Sequence, residues 1–266
     1  MSSNHSAETV SLEGPDAIAF AQAQFGSKVG ELAVGRWQFS AWLDAQGRVR
    51  ALFHLARIGD EQLLLVLRGG DAATFAHALQ RYVFRSRVVI LAAEPRAMRR
   101  TDPLAMHAVR VDAAHVTLGC GSYGLGIASA QGDDDWRIAQ VRAGWPWLPA
   151  TQLEALLPPA LSLQRLQAVA VDKGCYPGQE IVARLHYRGG HKRHLHSVML
   201  SQPANIGAPL LRDGREAGCL LDVVHSSSGI EALAVIGDDT AAKIADGSFG
   251  GFDDGLRIEL LASWPE

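Results

Sequence analysis

Residues 173–180 read Lys-Gly-Cys-Tyr-Pro-Gly-Gln-Glu, and this octapeptide is the most informative stretch of the chain. Its two glycines permit positive φ and its proline stiffens the bend between them, so the pattern predicts a tight turn. A helix is predicted directly after the turn, over residues 180–185. Cys175 would then lie just before a helix N-terminus and two residues from Lys173, and both neighbours favour the thiolate form.

Cys175 has two interpretations. A lone cysteine in a rigid turn is more often a small buried side chain than a reactive group. The concentration of a thiol, a cation and the amide of Gln179 in one short stretch favours function. We therefore predict that Cys175 is the catalytic or otherwise reactive group, that Lys173 is its cationic neighbour, and that Gln179 makes a structural or ligand hydrogen bond.

The composition describes an ordinary globular protein. The chain has 266 residues, of which 48% are hydrophobic and 20% charged, with a net charge of −3, so it can bury one large core or two to three small ones. This balance gives no global signal for nucleic acid, and any RNA contact must come from a local patch. Three scattered cysteines, Cys120, Cys175 and Cys219, argue against a disulfide framework or a zinc knuckle.

No targeting or membrane segment is visible in the sequence. The first residues, Met-Ser-Ser-Asn-His-Ser-Ala-Glu, have neither a basic region nor an apolar core, and they lack the arginines of a mitochondrial presequence. No run of about 18 apolar residues occurs. We expect a cytoplasmic protein without membrane contact.

Periodicity predicts an α+β fold, because helices are mixed with hairpins. In the first part we predict a helix over 15–25, a hairpin of 37–43 with 49–56, a strand at 63–67, a helix from the N-cap Asp71 through Phe84, and a strand at 88–91. Strands follow at 108–111 and 115–118, and a helical or irregular segment begins near Trp136. Short strands at 195–200, 219–224, 231–236 and 256–261 are typical of a small antiparallel barrel.

Residues 119–124 satisfy the pattern GxGxxG. A dinucleotide site requires a helix straight after this pattern and an acidic residue about 20 positions further on. The chain instead continues Leu-Gly-Ile-Ala-Ser-Ala-Gln-Gly, which is typical of a loop. We reject a nucleotide-binding role for this stretch.

The octapeptide and the residues after it, 180–184, 188–189 and 192–193, resemble the signature of YgfZ-type folate-binding proteins. These are relatives of the glycine cleavage T-protein and include a mitochondrial iron–sulfur assembly factor. Further matches lie at 12–17, Phe20, 22–24, 44–49, 82–84, Ser86 and 143–146, so the similarity covers most of the chain and is poorest over residues 95–132.

The resemblance implies a T-protein-like fold of mixed sheets and helices, capped by a C-terminal antiparallel β-barrel. We expect an N-terminal folate-binding subdomain at 1–94, a second subdomain carrying the signature at 95–190, and the barrel at 191–266. The implied cofactor is tetrahydrofolate or a derivative. Trp136 matches a position that contacts folate in such proteins, and a flat pterin also needs an aromatic slot with fixed polar groups. The predicted folate-binding residues are Trp136, Tyr176, Gln179, Arg184 and Arg188.

Two groups of polar side chains follow the signature. The first group consists of four cations. Arginine forks bind carboxylates and phosphates bidentately, so the glutamate tail of folate and an RNA backbone are both candidate ligands. The alternative is a solvated charged loop. The four histidines invite a metal interpretation, but no cysteine or carboxylate joins them at ligand spacing, so we favour a polar loop and predict no metal. These cations are Arg184, Arg188, Lys192 and Arg193, and the histidines are His186, His191, His194 and His196.

The sequence departs from the family pattern where chemistry is concerned. Aminomethyl-transferring relatives carry acidic residues soon after the hairpin, whereas residues 50–53 are Arg, Ala, Leu and Phe. Arg142 replaces a common Glu that suits the N–H donors of a pterin, and Lys28 replaces a common Asp. Without these carboxylates, a glycine-cleavage reaction that moves protons is poorly supported.

The leading hypothesis from the resemblance is a tetrahydrofolate-binding accessory protein that supports assembly or repair of iron–sulfur enzymes, including enzymes that modify tRNA. Iron–sulfur client proteins and, through residues 184–193, tRNA are the expected partners. One alternative is a folate-dependent one-carbon transferase of the aminomethyl type. Another is a non-enzymatic scaffold that docks protein or RNA. Whether the protein is an enzyme stays open at this point.

Overall fold

The structure is a computed structural model that describes residues 6–112, 115–128 and 132–264. Its strands form three antiparallel sheets of five strands each. The strands are β1 (Ser6–Ala7), β2 (Thr9–Glu13), β3 (Arg36–Leu43), β4 (Val49–Gly59), β5 (Gln62–Leu67), β6 (Val89–Ala92), β7 (Arg96–Thr101), β8 (Val109–Asp112), β9 (His115–Gly119), β10 (Gly124–Ala128), β11 (Arg193–Leu200), β12 (Pro209–Arg212), β13 (Arg215–Ser226), β14 (Gly229–Gly237) and β15 (Ile258–Trp264). The α-helices are α1 (Ala17–Gln24), α2 (Ala72–Gln80), α3 (Arg137–Arg142), α4 (Gln179–Arg188) and α5 (Asp238–Ala245).

The N-terminal sheet has the strand order β3-β4-β5-β2-β6. Its two faces are both apolar, because β3 alternates between two hydrophobic cores: Trp37 and Phe39 face one core and Trp42 faces the other. Helices α1 and α2 cover the Trp42 face, where Phe25, Phe53 and Phe75 pack together. Asp71 is the predicted N-cap, since its Oδ1 accepts a hydrogen bond of 2.7 Å from the backbone N–H of Thr74. α2 ends at Gln80, four residues before the predicted end.

The middle sheet has the order β1-β7-β10-β9-β8. The GxGxxG stretch is the hairpin between β9 and β10, where the N–H of Cys120 donates to the oxygen of Tyr123 at 2.9 Å. A strand and not a helix therefore follows the pattern. The prediction of a loop after Gly124 is wrong for residues 125–128, which lie in the buried strand β10; residues 129–131 lie outside the described residues.

The first two strands join these sheets. β1 pairs with β7 in the middle sheet, whereas β2 pairs with β5 and β6 in the N-terminal sheet. Only Glu8 separates β1 from β2. Its backbone oxygen accepts from the N–H of Leu67 at 2.9 Å, and its Oε2 accepts from the N–H of Ala72 at 3.1 Å. The chain therefore crosses between two sheets within one residue.

The C-terminal sheet, β12-β13-β14-β11-β15, is built from residues 193–264. It is the counterpart of the antiparallel unit that the sequence predicts for this region. One face packs with α5 and the loop around Phe252, and the other contributes Leu195, Leu221 and Leu233 to the large core. That large core also receives Phe39 from the N-terminal sheet and Ile127 from the middle sheet.

The predicted α+β class of mixed helices and antiparallel sheets is confirmed. The division at residues 94/95 and 190/191 stays a proposal. β1 lies in the first predicted subdomain by sequence but pairs with β7 of the middle sheet. Among the described helices, none combines the length and the apolar character needed to cross a bilayer.

A buried arginine fixes the segment between α3 and the signature. Arg68 is 1% exposed and follows β5. Its guanidinium donates to the backbone oxygens of Pro146 (2.7 Å) and Trp145 (2.8 Å) and to Oε1 of Gln140 (2.8 Å). Because this charge is buried, desolvation lowers the pKa of Arg68 to about 10. The Gly-Trp-Pro element at 144–146 is thereby held against the N-terminal sheet.

Candidate functional site

The signature forms the predicted turn and leads into a helix. Gly178 is the N-cap of α4 with φ +78°, and α4 begins at Gln179. The amide Nε2 of Gln179 donates to the backbone oxygen of Lys173 at 2.9 Å, which closes the loop on itself. Gln179 thus makes the structural hydrogen bond that was one of its two predicted roles.

Lys173 anchors this loop to the end of α1. Its Nζ donates to three backbone oxygens, those of Gln22 (2.8 Å), Phe25 (2.6 Å) and Ser27 (2.7 Å). Burial lowers the pKa of Lys173 to about 8, while the three carbonyl dipoles favour the ammonium form. All three N–H donors of the ammonium are used on backbone carbonyls. The predicted role of Lys173 as the cationic neighbour of the thiol stays a prediction.

Cys175 is exposed, whereas Cys120 and Cys219 are buried. The next residue, Tyr176, is 6% exposed, and its hydroxyl donates to the oxygen of Ala170 at 2.8 Å. Burial raises the pKa of Tyr176 to about 12. The turn therefore buries the ring of Tyr176 and turns the neighbouring thiol to solvent.

A cleft of about 700 Å³ lies beside the loop that leads into the signature. This volume is in the usual range of small-molecule sites. Residues 169–172, which run directly into Lys173, form part of its lining, and seven residues between positions 28 and 38 form another part. Trp37, His107, Gln164, Gln167 and His186 complete the lining.

Two residues of the cleft are held in the left-handed backbone region. His107 has φ +65° and Gln167 has φ +55°. Residues other than glycine rarely adopt this conformation, and such strain clusters at ligand-binding sites. The ring of His107 packs 4.7 Å from that of Trp37, and burial lowers the pKa of this histidine.

Charges line the edge of the cleft. Lys28 forms an ion pair with Asp172 at 2.7 Å and lies 3.8 Å from Glu31. The pKa of Asp172 is lowered, first by its hydrogen bond from Lys28. Arg36 also lines the cleft, and its guanidinium has no hydrogen-bond or ion-pair partner among the described residues. The guanidinium of Arg36 is therefore available to a ligand, whereas the charges of Lys28 and Asp172 neutralise each other.

The five residues predicted to bind folate do not line this cleft. Trp136 is 1% exposed and lies in the large core, where its Nε1 donates to the oxygen of Asp133 at 2.9 Å. Tyr176 and Gln179 hydrogen-bond instead to the backbone oxygens of Ala170 and Lys173, respectively. The remaining two, Arg184 and Arg188, lie on the exposed surface of α4. Their predicted ligand roles stay predictions.

The α4 surface is basic and aromatic. Arg184, Arg188 and Lys192 lie toward solvent and have no side-chain partner in the described part of the chain, while Arg193 pairs with Glu216 at 2.9 Å. Tyr187, 74% exposed, lies among these cations. We call Arg184, Tyr187, Arg188 and Lys192 the α4 patch.

Among the four histidines, His194 and His196 are hydrogen-bonded to other side chains. No group of three or more His, Cys, Asp or Glu side chains in residues 6–112, 115–128 and 132–264 is arranged to hold a metal ion. Nδ1 of His194 lies 2.6 Å from Oδ1 of Asp238, and Nδ1 of His196 lies 2.8 Å from Oγ of Ser263. Both residues lie in β11, and their partners belong to α5 and β15.

Arg142 has its own carboxylate partner. Its Nε donates to Oε2 of Glu231 at 2.8 Å and its Nη2 to Oε1 at 2.5 Å. Glu231 also accepts from Ser226 at 2.9 Å. These donors, the Arg142 guanidinium first, lower the pKa of Glu231. Arg142, which stands where the resembled family commonly has a glutamate, is therefore itself bound to the carboxylate of Glu231.

Comparisons with known proteins agree along nearly the whole chain. No protein-family model matches it. It is 29% identical over 247 residues to an uncharacterized protein of Haemophilus influenzae, covering 87% of each chain. It is 25% identical to the tRNA-modifying protein YgfZ of Yersinia pseudotuberculosis, covering 91% of this chain and 86% of that one. The YgfZ of Sodalis glossinidius is 26% identical, with 88% and 83% covered.

The fold has a solved counterpart. The glycine cleavage system aminomethyltransferase T from Bartonella henselae superposes with a TM-score of 0.68 at 16% identity, over 88% of this chain and 76% of that one. At that identity the likeness shows the fold alone. Together with the similarity to YgfZ proteins over about nine-tenths of the sequence, this likeness supports a YgfZ-type protein with the T-protein fold.

Proposed function

We propose that this protein is a tetrahydrofolate-binding accessory protein that supports assembly or repair of iron–sulfur enzymes, including enzymes that modify tRNA, in the cytoplasm. The observation that carries the proposal is the 700 Å³ cleft whose wall runs into the signature loop, which presents the exposed thiol of Cys175. The relatives named tRNA-modifying proteins support the link to tRNA.

The residues of the cleft fit a folate. A pterin ring is flat and has both donors and acceptors on its edge, so it needs an apolar slot with a few polar groups. Trp37 and Val169 supply apolar surface, and the side-chain amides of Gln164 and Gln167 supply donors and acceptors. The guanidinium of Arg36 suits a carboxylate of the glutamate tail. When bound, the folate supplies a carrier for a one-carbon unit.

Cys175 is the proposed reactive group. One thiolate does not hold an iron–sulfur cluster, which generally takes four protein ligands. The cluster is therefore the cargo of a client protein, and Cys175 acts as a transient ligand or redox partner at the surface. Lys173 and Gln179 position the turn that presents the thiol.

The α4 patch is the proposed docking site for tRNA. Its cations can neutralise phosphates, and the exposed ring of Tyr187 can stack on an unpaired base. The aminomethyl-transferase alternative has no comparable support, because β4 carries Arg50, Ala51, Leu52 and Phe53 where the transferring relatives have carboxylates.

A titration with tetrahydrofolate tests the proposal. Trp37 lines the cleft, so we expect binding to quench tryptophan fluorescence, and we expect Gln164→Leu and Arg36→Gln each to weaken binding about tenfold. Arg215→Gln is the matched control, since Arg215 is exposed and does not line the cleft. Absence of binding would refute the folate part.

The thiol is tested separately. In a strain that lacks the gene for this protein, Cys175→Ala should fail to restore the activity of iron–sulfur enzymes, while Cys219→Ala should restore it. Full restoration by Cys175→Ala would remove the thiol from the proposal and leave folate binding untouched.

A further inference from the structure

β6 is the one edge strand, in the part of the chain that the structure describes, that is entirely apolar. It reads Val-Ile-Leu-Ala and is the last strand of the N-terminal sheet. The edge strands β3, β8, β12 and β15 each contain a charged residue, and β1 has only two residues. Val89 and Leu91 of β6 are 55% and 51% exposed. Because native sheets protect their edges with charges, an exposed apolar edge marks a site of strand pairing.

The outer side of β6 carries unpaired backbone groups. On its inner side β6 pairs with β2, and directly after β6 the N–H of Ala93 donates to the oxygen of Thr9 at 3.0 Å. Bonded residues alternate along an antiparallel ladder, so the backbone groups of Ile90 and Ala92 face away from β2. These groups have no hydrogen-bond partner among the described residues. They offer N–H donors and C=O acceptors to an added strand.

A groove of about 470 Å³ lies beside this edge, and we call it the β6 groove. It is formed between two sheets: Leu64 and Leu91 line it from the N-terminal sheet, and Val116 and Ile127 line it from the middle sheet. Ile127 is 1% exposed, whereas Leu91 is half exposed, so the groove runs from the interior to the edge strand. Of the described residues that line it, Arg96 alone is charged.

We propose that β6 and the β6 groove bind an extended segment of a partner protein, which adds to the N-terminal sheet as a further strand. The backbone of the segment pairs with Ile90 and Ala92. Because side chains alternate between the two faces of a strand, every second side chain of the segment lies on the face of Leu91, beside the groove. The segment is therefore apolar at alternate positions.

The charge of the β6 groove adds one requirement to the partner. Arg96 is a cation with five N–H donors, so it can bind a carboxylate of the segment in addition to its contacts within the chain. The partner thus carries an acidic residue next to its apolar positions. The site does not depend on folate binding, because the groove and the cleft have no lining residue in common.

The probe for this site is the blocked peptide acetyl-Glu-Val-Thr-Val-Thr-Val-Glu-amide, titrated into the full chain by calorimetry. Two further peptides carry N-methyl groups, one on the valine amides and the other on the threonine amides. Successive N–H groups of a strand point to opposite sides, so only one of these two sets faces β6. We expect one methylated peptide to lose binding and the other to keep it.

Variants of the chain locate the bound peptide. Leu91→Lys places a charge at the edge, and Ala92→Pro removes an outward N–H; we expect each to weaken binding at least about tenfold. Leu211→Lys is the matched control, because Leu211 is a leucine of similar exposure in the edge strand β12.

The cation is tested within β7. Arg96→Gln should weaken binding about fivefold through the lost carboxylate contact. Arg99→Gln should leave binding unchanged, because Arg99 is exposed on the same strand and does not line the groove.

Three results would overturn the proposal. The first is absence of peptide binding, or equal effects of the two methylated peptides. The second is binding that Arg36→Gln abolishes and Leu91→Lys leaves unchanged, which places the peptide in the cleft. The third comes from sedimentation: a wild type that dimerises and a Leu91→Lys variant that stays monomeric would show that β6 pairs with a second copy of this chain.

Discussion

Gly178 of the signature is in contact with Gly47 of the β3–β4 turn. A Cβ atom on Gly178 would lie 2.9 Å from Cα of Gly47 and 2.5 Å from the backbone oxygen of Asp44. A Cβ on Gly47 would in turn lie 2.8 Å from Cβ of Ile181 in α4. The N-terminus of α4 therefore packs directly on the hairpin turn. The backbones of the two segments are in contact at these glycines, with no side chain between them.

Gly178→Ala should destabilise the protein by about 2–4 kcal/mol, because it combines a positive φ with a clash against backbone. Gly174→Ala is the matched control in the same loop, since a Cβ on Gly174 would have no atom within 4 Å and its φ is not positive. We expect this control to change stability by less than about 1 kcal/mol. Urea unfolding followed by circular dichroism measures both, and equal effects would contradict the close contact between the two glycines.

Cys175 should be the cysteine that reacts first in the folded protein. Burial raises the pKa of Cys120 to about 11 and that of Cys219 to about 12, whereas the side chain of Cys175 is exposed. Titration with a thiol reagent near neutral pH should modify one thiol in the native protein and all three cysteines after unfolding. Cys175→Ser should abolish the native reaction. Modification of a second thiol at a similar rate would argue against the buried positions of the other two.

The Arg142–Glu231 pair should contribute stability that depends on pH. Its donors lower the pKa of Glu231 below the ordinary value of 4.5. A carboxylate with a lowered folded-state pKa stabilises the fold above its ordinary pKa, and this stabilisation is lost as the pH falls through the lowered value. Arg142→Met should therefore cost about 2 kcal/mol at neutral pH, since it leaves the carboxylate of Glu231, 2% exposed, without its main partner.

The same comparison at low pH supplies the control for this pair. As Glu231 becomes protonated, the difference in unfolding free energy between the wild type and Arg142→Met should shrink. Arg188→Met, which removes an exposed cation that has no partner within the described residues, should show no such pH dependence. If the difference in unfolding free energy between the wild type and Arg142→Met stays constant from neutral to acidic pH, the ion pair is not the source of the pH dependence.

The α4 patch should bind tRNA with a strong dependence on salt. Arg188→Gln should weaken binding and reduce the slope of log K against log salt by about 1, as expected for one lost phosphate contact. Tyr187→Ala should weaken binding through lost stacking, by about 1–3 kcal/mol, without changing that slope. Arg215→Gln serves as the matched exposed control. Filter binding or calorimetry at several salt concentrations distinguishes these effects, and an unchanged slope in Arg188→Gln would exclude a phosphate contact.

Local signals in the sequence predict the elements that depend on local chemistry. The β3–β4 hairpin, the cap at Asp71 and the turn at 174–178 each follow from turn residues, side-chain caps or strict alternation. The strand β10 escapes such signals because its glycines resemble a loop. Gly124 and Gly126 are required there by close packing, since a Cβ on Gly126 would lie 2.7 Å from Cγ2 of Thr101 in β7. That requirement is invisible without the neighbouring strand.

The candidate site is predictable only in part. The octapeptide locates Cys175 and the turn, but the cleft beside it is assembled from segments far apart in the chain, such as those of Trp37 and Gln167. No periodicity or spacing connects such positions. The anchoring of Lys173 could not be predicted from the sequence for the same reason. Its three acceptors are backbone oxygens of residues 22–27, which lie far from it in the chain.

The single residue between β1 and β2 has a consequence for how the molecule comes apart. Since the edge strand β1 hydrogen-bonds to β7 and the inner strand β2 to β5, neither strand can leave its sheet on heating or in denaturant without pulling on the other sheet through Glu8. Melting of the N-terminal and middle sheets is therefore expected to be one cooperative event, and hydrogen exchange in β7 and β5 should share a common opening reaction.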